Sequence, residues 1–374
     1  MAEPLKNQFG PEIPQAIAQM LQQVHAEFPV QAFLRTALQG YEALELMDRG
    51  RHIARALHAH LPPAYPRAVG LLLRSMDQAP GLPREGSLAS FLFLPHSCFV
   101  AEFGLDHVEP SMRALHAITQ RFTSEFAIRP FLVRHPQATL QQLAAWAQDP
   151  NHHVRRLVSE GTRPRLPWAP RLPAFQADPQ PVLALLERLR DDPSLYVRRS
   201  VANNLNDIGK DHPDVLAATA RRWLADAPPE RAWVVRHALR WAVKQGAPWA
   251  LDVLGYGQQA QVAVRAVQVR PARPRIGGTV VLAFEVHNTG KAAQDLLVDL
   301  RVHYASARGA ARAKVFKLST AQLAPGAALE LHKTLSLRQM TTRQHHAGRH
   351  RFEVLVNGAA HPAGHFDLRD AAPD

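Results

Sequence analysis

Cysteine is nearly absent from this sequence: Cys98 stands alone in 374 residues, so no internal disulfide can form. Its apolar setting, FLFLPHSCFV, predicts a buried structural thiol and gives no support to redox chemistry. Long apolar runs are also missing. No uninterrupted stretch reaches the roughly 18 residues of a membrane span, and the start, MAEPLKNQFGPEIPQ, lacks the basic-then-apolar layout of a secretion signal. The expectation is a cytoplasmic protein without membrane attachment. The sequence contains no phosphate-binding glycine loop, dinucleotide fingerprint, histidine pair at zinc spacing or Gly-x-Ser-x-Gly elbow. Neither a cofactor, a metal nor a serine hydrolase mechanism is therefore expected. The adjacent pairs His152-His153 and His345-His346 point in different directions on a helix or strand, which argues against a metal site at either.

What is present is a generous apolar fraction, 46% hydrophobic against 20% charged, sufficient for two or more packed domains. Acidic residues are the scarcer charge: 32 Asp and Glu against 44 Lys and Arg give a net charge of +12, with arginine far outnumbering lysine. Excess positive charge favours a polyanionic partner. The planar guanidinium also suits phosphate geometry better than an ammonium does. A GC-rich coding genome produces the same arginine bias, so charge alone leaves a nucleic-acid partner one of two readings.

To about residue 250, helical periodicity is punctuated by short Pro, Gly and Asp turns. Three stretches resemble one another: DPNHHVRRLVSEGTRPR from Asp149, DPSLYVRRSVANNLNDIGK from Asp192 and PPERAWVVRHALRWAVKQG from Pro228. Each sets a Val-Arg-(Arg/His) step early in a helix after a turn. A spacing of about 40 residues is that of two-helix HEAT-type repeats, whose pairs bury their apolar faces only by stacking. After roughly residue 258 the period changes to two, in QVAVRAVQV, TVVLAFEVHN, DLLVDLRVHYA, AKVFKLST, LELHKTLSL and RFEVLVNG. The fold class predicted is mainly α, a HEAT-like helical repeat solenoid over residues 1–257, followed by a C-terminal immunoglobulin-like β-sandwich over 258–374.

Arginine, amide and carboxylate residues cluster on the expected inner helices. Arg199, Asn203 and Asp207 follow one another at four-residue steps and share a helix face, as do Arg156 and Glu160, and Glu125 and Arg129. Glu125, Glu160 and Asp207 are thus candidates to converge on one surface. Taken pair by pair, intrahelical salt bridges worth a few tenths of a kcal/mol are the favoured explanation. Yet Arg155, Arg163, Arg165, Arg198, Lys210, Arg236 and Arg240 add more positive charge than these carboxylates neutralise, and such a groove can hold a phosphate backbone. Trp168, in GTRPRLPWAPRLP, is expected on a connection kept extended by its prolines, either stacking on a nucleotide or anchoring two repeats. In the β region, Arg308, Arg312, Lys314 and Lys317 form a basic hairpin-like segment, suited to a second grip on DNA or merely a charged edge that discourages strand pairing.

Taken together, PLKNQFGPE, TSEFAIRPFL, HVRRLVSEGTRPRLPWA and DPSLYVRRSVANNLNDIGKDHP resemble the AlkC-type DNA glycosylases, relatives of the HEAT-like-repeat glycosylase AlkD. AlkD-type relatives lack a C-terminal β domain, so its presence favours the AlkC branch. The resemblance implies hydrolysis of the N-glycosidic bond of small cationic bases, 3-methylcytosine and 3-methyladenine, in double-stranded DNA. It also implies a bent duplex in which the damaged base stays largely stacked, unlike the usual extrusion into a pocket. A cationic base is already a good leaving group. Glu125, Glu160 and Asp207 are then implied to stabilise the oxocarbenium sugar and position a water, with Trp168 beside the lesion. Arg129, Arg155, Arg156, Arg163, Arg165, Arg198, Arg199, Asn203, Lys210, Arg236, Arg240, Arg312 and Lys314 are the expected DNA contacts of a monomer. The main rival is a noncatalytic HEAT-like scaffold for DNA or an acidic protein, favoured if each carboxylate is tied up by an arginine. A second is an RNA-binding repeat protein.

Overall fold

The structure, a computed structural model, describes residues 5–79, 88–306, 312–340 and 344–371. The helices are α1 (Glu12–Val24), α2 (Val30–Leu38), α3 (Leu46–His60), α4 (Tyr65–Met76), α5 (Leu94–Phe103), α6 (Val108–Thr119), α7 (Ile128–Arg134) and α8 (Pro136–Trp146). There follow α9 (His152–Gly161), α10 (Pro173–Ala177), α11 (Gln180–Leu189), α12 (Leu195–Asp211), α13 (Pro213–Leu224), α14 (Pro229–Ala238), α15 (Arg240–Lys244) and α16 (Pro248–Val253). The change from helix to strand lies between Val253 and Val262. Compactness divides the chain into Met1–His212 with Ala227–Ala238, and Pro213–Asp226 with Leu239–Asp374, so α13, α15 and α16 group with the strands.

In the first unit α9, α12 and α14 pack in series, and α8 and α11 also touch α9. Val197, Val201, Leu205 and Ile208 of α12 are fully buried at helical spacing. Burial of each such aliphatic side chain contributes about 1.5–3 kcal/mol, which is what seats the helix. The repeated Asp-Pro turns start these helices for a local reason. Asp149 Oδ1 accepts the amide of Asn151 at 2.8 Å, and Asp192 Oδ1 that of Ser194 at 2.9 Å. Asn151 then caps α9 by accepting the His153 amide at 2.8 Å.

The second unit carries β1 (Val262–Arg270), β2 (Thr279–Asn288), β3 (Gln294–Tyr304), β4 (Arg312–Leu323), β5 (Ala328–Ser336), β6 (Gly348–Val356) and β7 (Ala359–Leu368). They form antiparallel sheets of order β1-β2-β5 and β4-β3-β6-β7, an immunoglobulin-like pairing of three strands with four. Alternate residues of β2 (Val280, Leu282, Phe284, Val286) and of β3 (Leu296, Val298, Leu300, Val302) fill the core between them. Strand β7, AAHPAGHFDL, was not expected, because Pro362 and Gly364 read as breakers. It lies at a sheet edge, where a missing ladder donor is tolerated.

Candidate active site

The three carboxylates singled out in the sequence meet in one ion network. Glu125 lies in the turn before α7, Glu160 near the end of α9 and Asp207 in α12; they are 7%, 7% and 1% exposed. The Arg156 guanidinium donates to Glu125 Oε2 at 3.0 Å and to Thr123 Oγ1 at 3.0 Å, and stands 3.7 Å from Glu160 Oε1. Arg163 donates to Glu160 Oε1 at 2.7 Å and to Asp207 Oδ2 at 2.8 Å, while Lys210 donates to Asp207 Oδ1 at 2.9 Å. Ser200 on α12 donates its hydroxyl to Glu160 Oε2 at 2.6 Å. Gly161 permits this closeness: a Cβ there would come within 2.5 Å of Ile128 Cγ2, pushing α9 away from the turn that bears Glu125.

Three carboxylates facing Arg156, Arg163 and Lys210 leave the network locally neutral. The carboxylates do not behave alike. Burial pushes the Glu125 carboxyl above the ordinary glutamate range, and Arg156 only partly opposes it. Glu160 is buried too, but Arg156, Arg163 and the Ser200 hydroxyl outweigh the desolvation and hold it below that range.

Several of the arginines named as DNA contacts make internal contacts that brace the protein. Arg129 does not pair with Glu125, because Glu125 precedes the helix on which four-residue spacing would bring them together. Its buried guanidinium instead donates to the carbonyls of Gly161 at 3.0 Å, Arg163 at 2.8 Å and Pro170 at 2.5 Å, fixing the connection that follows α9. Arg155 grips both carboxylate oxygens of Asp192 and the carbonyls of Asp149 and Pro150. Arg198 folds back in the same way on the carbonyls of Asp192 at 2.7 Å and Pro193 at 2.9 Å. Arg165 pairs with Asp211. The first arginine of the repeated Val-Arg-Arg step is thus the brace of the Asp-Pro turn.

Trp168 is not on an extended segment. It sits in a turn with φ 63°, a left-handed conformation rare for a tryptophan, and its ring is 85% exposed, which rules out an anchor between repeats. It walls a cavity of about 510 Å³ lined mainly by apolar groups of α5 and α7, including Leu94, Pro130 and Val133. Arg199 and Arg236 are exposed, Asn203, Lys210 and Arg240 are half-buried, and Cys98 is half-buried with its thiol pushed up to about 12 by desolvation. Lys314 and Lys317 of β4 are exposed, and Lys314 Nζ lies 5.0 Å from the Phe316 ring centre. Arg308 and the Arg312 side chain lie outside the described residues. Among the described residues no group of three His, Cys, Asp or Glu side chains is placed to hold a metal ion.

Three contributors were missed in the sequence: Thr123, Ser200 and Tyr196. Thr123 and Ser200 were overlooked because hydroxyl residues carry no pattern of their own, although Ser200 falls seven residues before Asp207, on the same helix face. Tyr196, four residues earlier again, has its ring 5.3 Å from the Arg156 guanidinium carbon. His153 and its neighbour His152 do not diverge: their rings are 4.3 Å apart and both meet the Tyr196 ring edge-on.

Residues 121–242 match the family model described as DNA alkylation repair enzyme, and residues 263–370 that of the C-terminal Ig-like domain of YhaZ. The chain is 37% identical over 358 residues to the uncharacterized protein YhaZ of Bacillus subtilis strain 168, covering 95% of this chain and 96% of that one. It is 40% identical, with a TM-score of 0.92, to the Pseudomonas fluorescens alkylpurine DNA glycosylase AlkC solved bound to DNA containing an abasic site analog. That match covers 98% of this chain and all of the other. By the scaffold criterion the paired carboxylates would have favoured a noncatalytic protein, but relationship along nearly the whole length decides otherwise: the chain belongs to the DNA alkylation repair enzymes, in the AlkC-type branch of DNA glycosylases.

Proposed function

We propose that this protein, acting as a monomer in the cytoplasm, hydrolyses the N-glycosidic bond of 3-methylcytosine and 3-methyladenine in double-stranded DNA while the damaged base stays largely stacked. The observation that carries this reading is the buried run Glu125–Arg156–Glu160–Arg163–Asp207, three carboxylates fixed by two guanidinium groups, beside a connection that presents an exposed Trp168. The leaving base carries a positive charge, so when the bond to C1′ breaks it departs with the bonding pair as a neutral molecule. The positive charge passes to the sugar as an oxocarbenium ion. Glu160, held anionic, opposes that charge at a fixed position. Water adds to C1′ and loses a proton, which Glu125 is suited to accept because burial has raised its proton affinity. Asp207 keeps Arg163 on Glu160.

DNA contact is assigned to Arg199, Asn203, Lys210 and Arg236 of the first unit, and to Arg240 and Lys314 of the second. The AlkC relative is described with DNA that contains an abasic site analog, the kind of product this reaction leaves. The test is release of methylated base from duplexes carrying 3-methylcytosine or 3-methyladenine by the native protein and by Glu125→Gln, Glu160→Gln and Asp207→Asn. Loss of release in a variant that still binds duplex DNA supports the reading; no release by the native protein on either lesion ends it.

A further inference from the structure

Tyr196 opens α12 with 41% of its surface exposed and is no part of the core. It nevertheless lies on the stripe Tyr196, Ser200, Asn203, Asp207, whose steps of four, three and four keep one helix face, the face that carries Ser200 and Asp207 into the ion network. Its ring stands 5.3 Å from the Arg156 guanidinium carbon, within cation–π range. The His152 and His153 rings meet it edge-on, at centroid distances of 5.9 Å and 5.6 Å and interplanar angles of 85° and 70°. Arg156 thus has an anion on either hand, Glu125 at 3.0 Å and Glu160 at 3.7 Å, and an aromatic ring as its backing.

We infer that Tyr196 is a positioning residue: its ring, set by His152 and His153, keeps the Arg156 guanidinium between Glu125 and Glu160. An arginine side chain turns freely about its methylenes, and the two anions and the Thr123 hydroxyl hold only the edge of its guanidinium, not its face. A ring face removes that freedom on one side. The inference rests on the reading of Glu125 and Glu160 given above, and both can be tested separately.

The experiment is single-turnover and steady-state base release from methylated duplex DNA across the acidic pH range, with the full chain, for the native protein, Tyr196→Phe and Tyr196→Leu. Around Glu125 the charged and titratable groups are Arg156 and Glu160 of α9, with Tyr196 of α12 behind Arg156 and Arg163 and Asp207 beyond Glu160. Loss of the ring frees Arg156 from Glu125, so the Tyr196→Leu rate falls about 5- to 30-fold in kcat, with a smaller change in KM. The acidic limb of its pH profile moves to higher pH, because Glu125 has lost its counter-charge. Tyr196→Phe keeps the ring and restores both rate and limb. Tyr196→Gln serves the same comparison if the leucine variant does not fold. An unmoved limb in the Leu or Gln variant overturns the inference, as does a phenylalanine variant impaired as much as they are. If the native protein is active and Glu125→Gln inactive, such a result removes only the role of Tyr196; an inactive native protein removes the catalytic reading itself.

Discussion

Arg163 offers the sharpest test of the ion network. It is 8% exposed and holds Glu160 at 2.7 Å and Asp207 at 2.8 Å, both buried. Replacing it with methionine keeps the apolar stem but takes the guanidinium from both buried carboxylates, leaving Asp207 with Lys210 and Glu160 with Ser200 and the more distant Arg156. Breaking a buried pair by removing one partner costs about 3–5 kcal/mol. For a unit of this size that corresponds to a fall of about 6–20 °C in melting temperature, at roughly 2–4 °C per kcal/mol. The pH dependence has a definite sign. In the native protein Glu160 is held below its ordinary value, so its contribution is present above the unfolded pKa and fades as the pH falls through the folded one. In Arg163→Met burial prevails, Glu160 takes up its proton more readily in the folded state, and stability returns as the pH falls. The difference from the native protein is therefore largest near pH 8 and narrows toward pH 5. Thermal melts followed by helical circular dichroism over that range measure it. A loss under about 1 kcal/mol, or a difference that does not change with pH, would refute a buried brace and return Arg163 to the set of DNA contacts.

Trp168→Ala leaves the melting temperature within about 2 °C, because an exposed ring contributes little to stability, while base release drops; a lowered melting temperature instead would make the ring a packing element. Ser200→Ala removes a 2.6 Å hydrogen bond to a charged group, worth about 1.5–3 kcal/mol, and slows base release by roughly 10- to 100-fold, with duplex affinity as the control that must stay constant. In the second unit Asp299 is buried on β3, one oxygen without a hydrogen-bond partner among the described residues, and desolvation pushes it up to about 6 against the pull of Lys317 and Lys244. A carboxyl raised in this way loses stability as pH rises from about 4 to 6, so Asp299→Asn stabilises this unit at pH 7.5 by about 1–3 kcal/mol and flattens its pH dependence; equal melts at pH 7.5 would count against it. Arg199→Ala and Arg236→Ala each reduce the slope of log affinity against log salt by about 0.9, whereas Arg198→Ala lowers stability and leaves the slope alone.

Periodicity made most of this fold legible, because burial on one face of a helix or strand repeats at a fixed step. The runs TVVLAFEVHN and RFEVLVNG were readable as strands for that reason, and β7 was not, since it takes in Pro362 and Gly364 at a sheet edge through a register shift against β6 between Arg351 and Glu353. The same step of four that placed Arg199, Asn203 and Asp207 on one face misled at Glu125 and Arg129, where the helix starts only at Ile128. Glu125 finds its cation 31 residues away, on α9. Helix periodicity says which residues share a face and nothing about what that face meets, so Arg156 was recognisable as a basic residue but not as the link between Glu125 and Glu160.

Counting charge along the chain had the same limit. The arginines nearest the carboxylates are consumed by them or by the carbonyls of the Asp-Pro turns, so the excess that reaches solvent comes from others. Of each Val-Arg-Arg step the first arginine lies against its own turn, while the second, one helix position on, is turned to the ion network in Arg156 and to solvent in Arg199. The motif thus separates two jobs: its first guanidinium holds the turn that starts the helix, and its second binds carboxylates in Arg156 and faces solvent in Arg199.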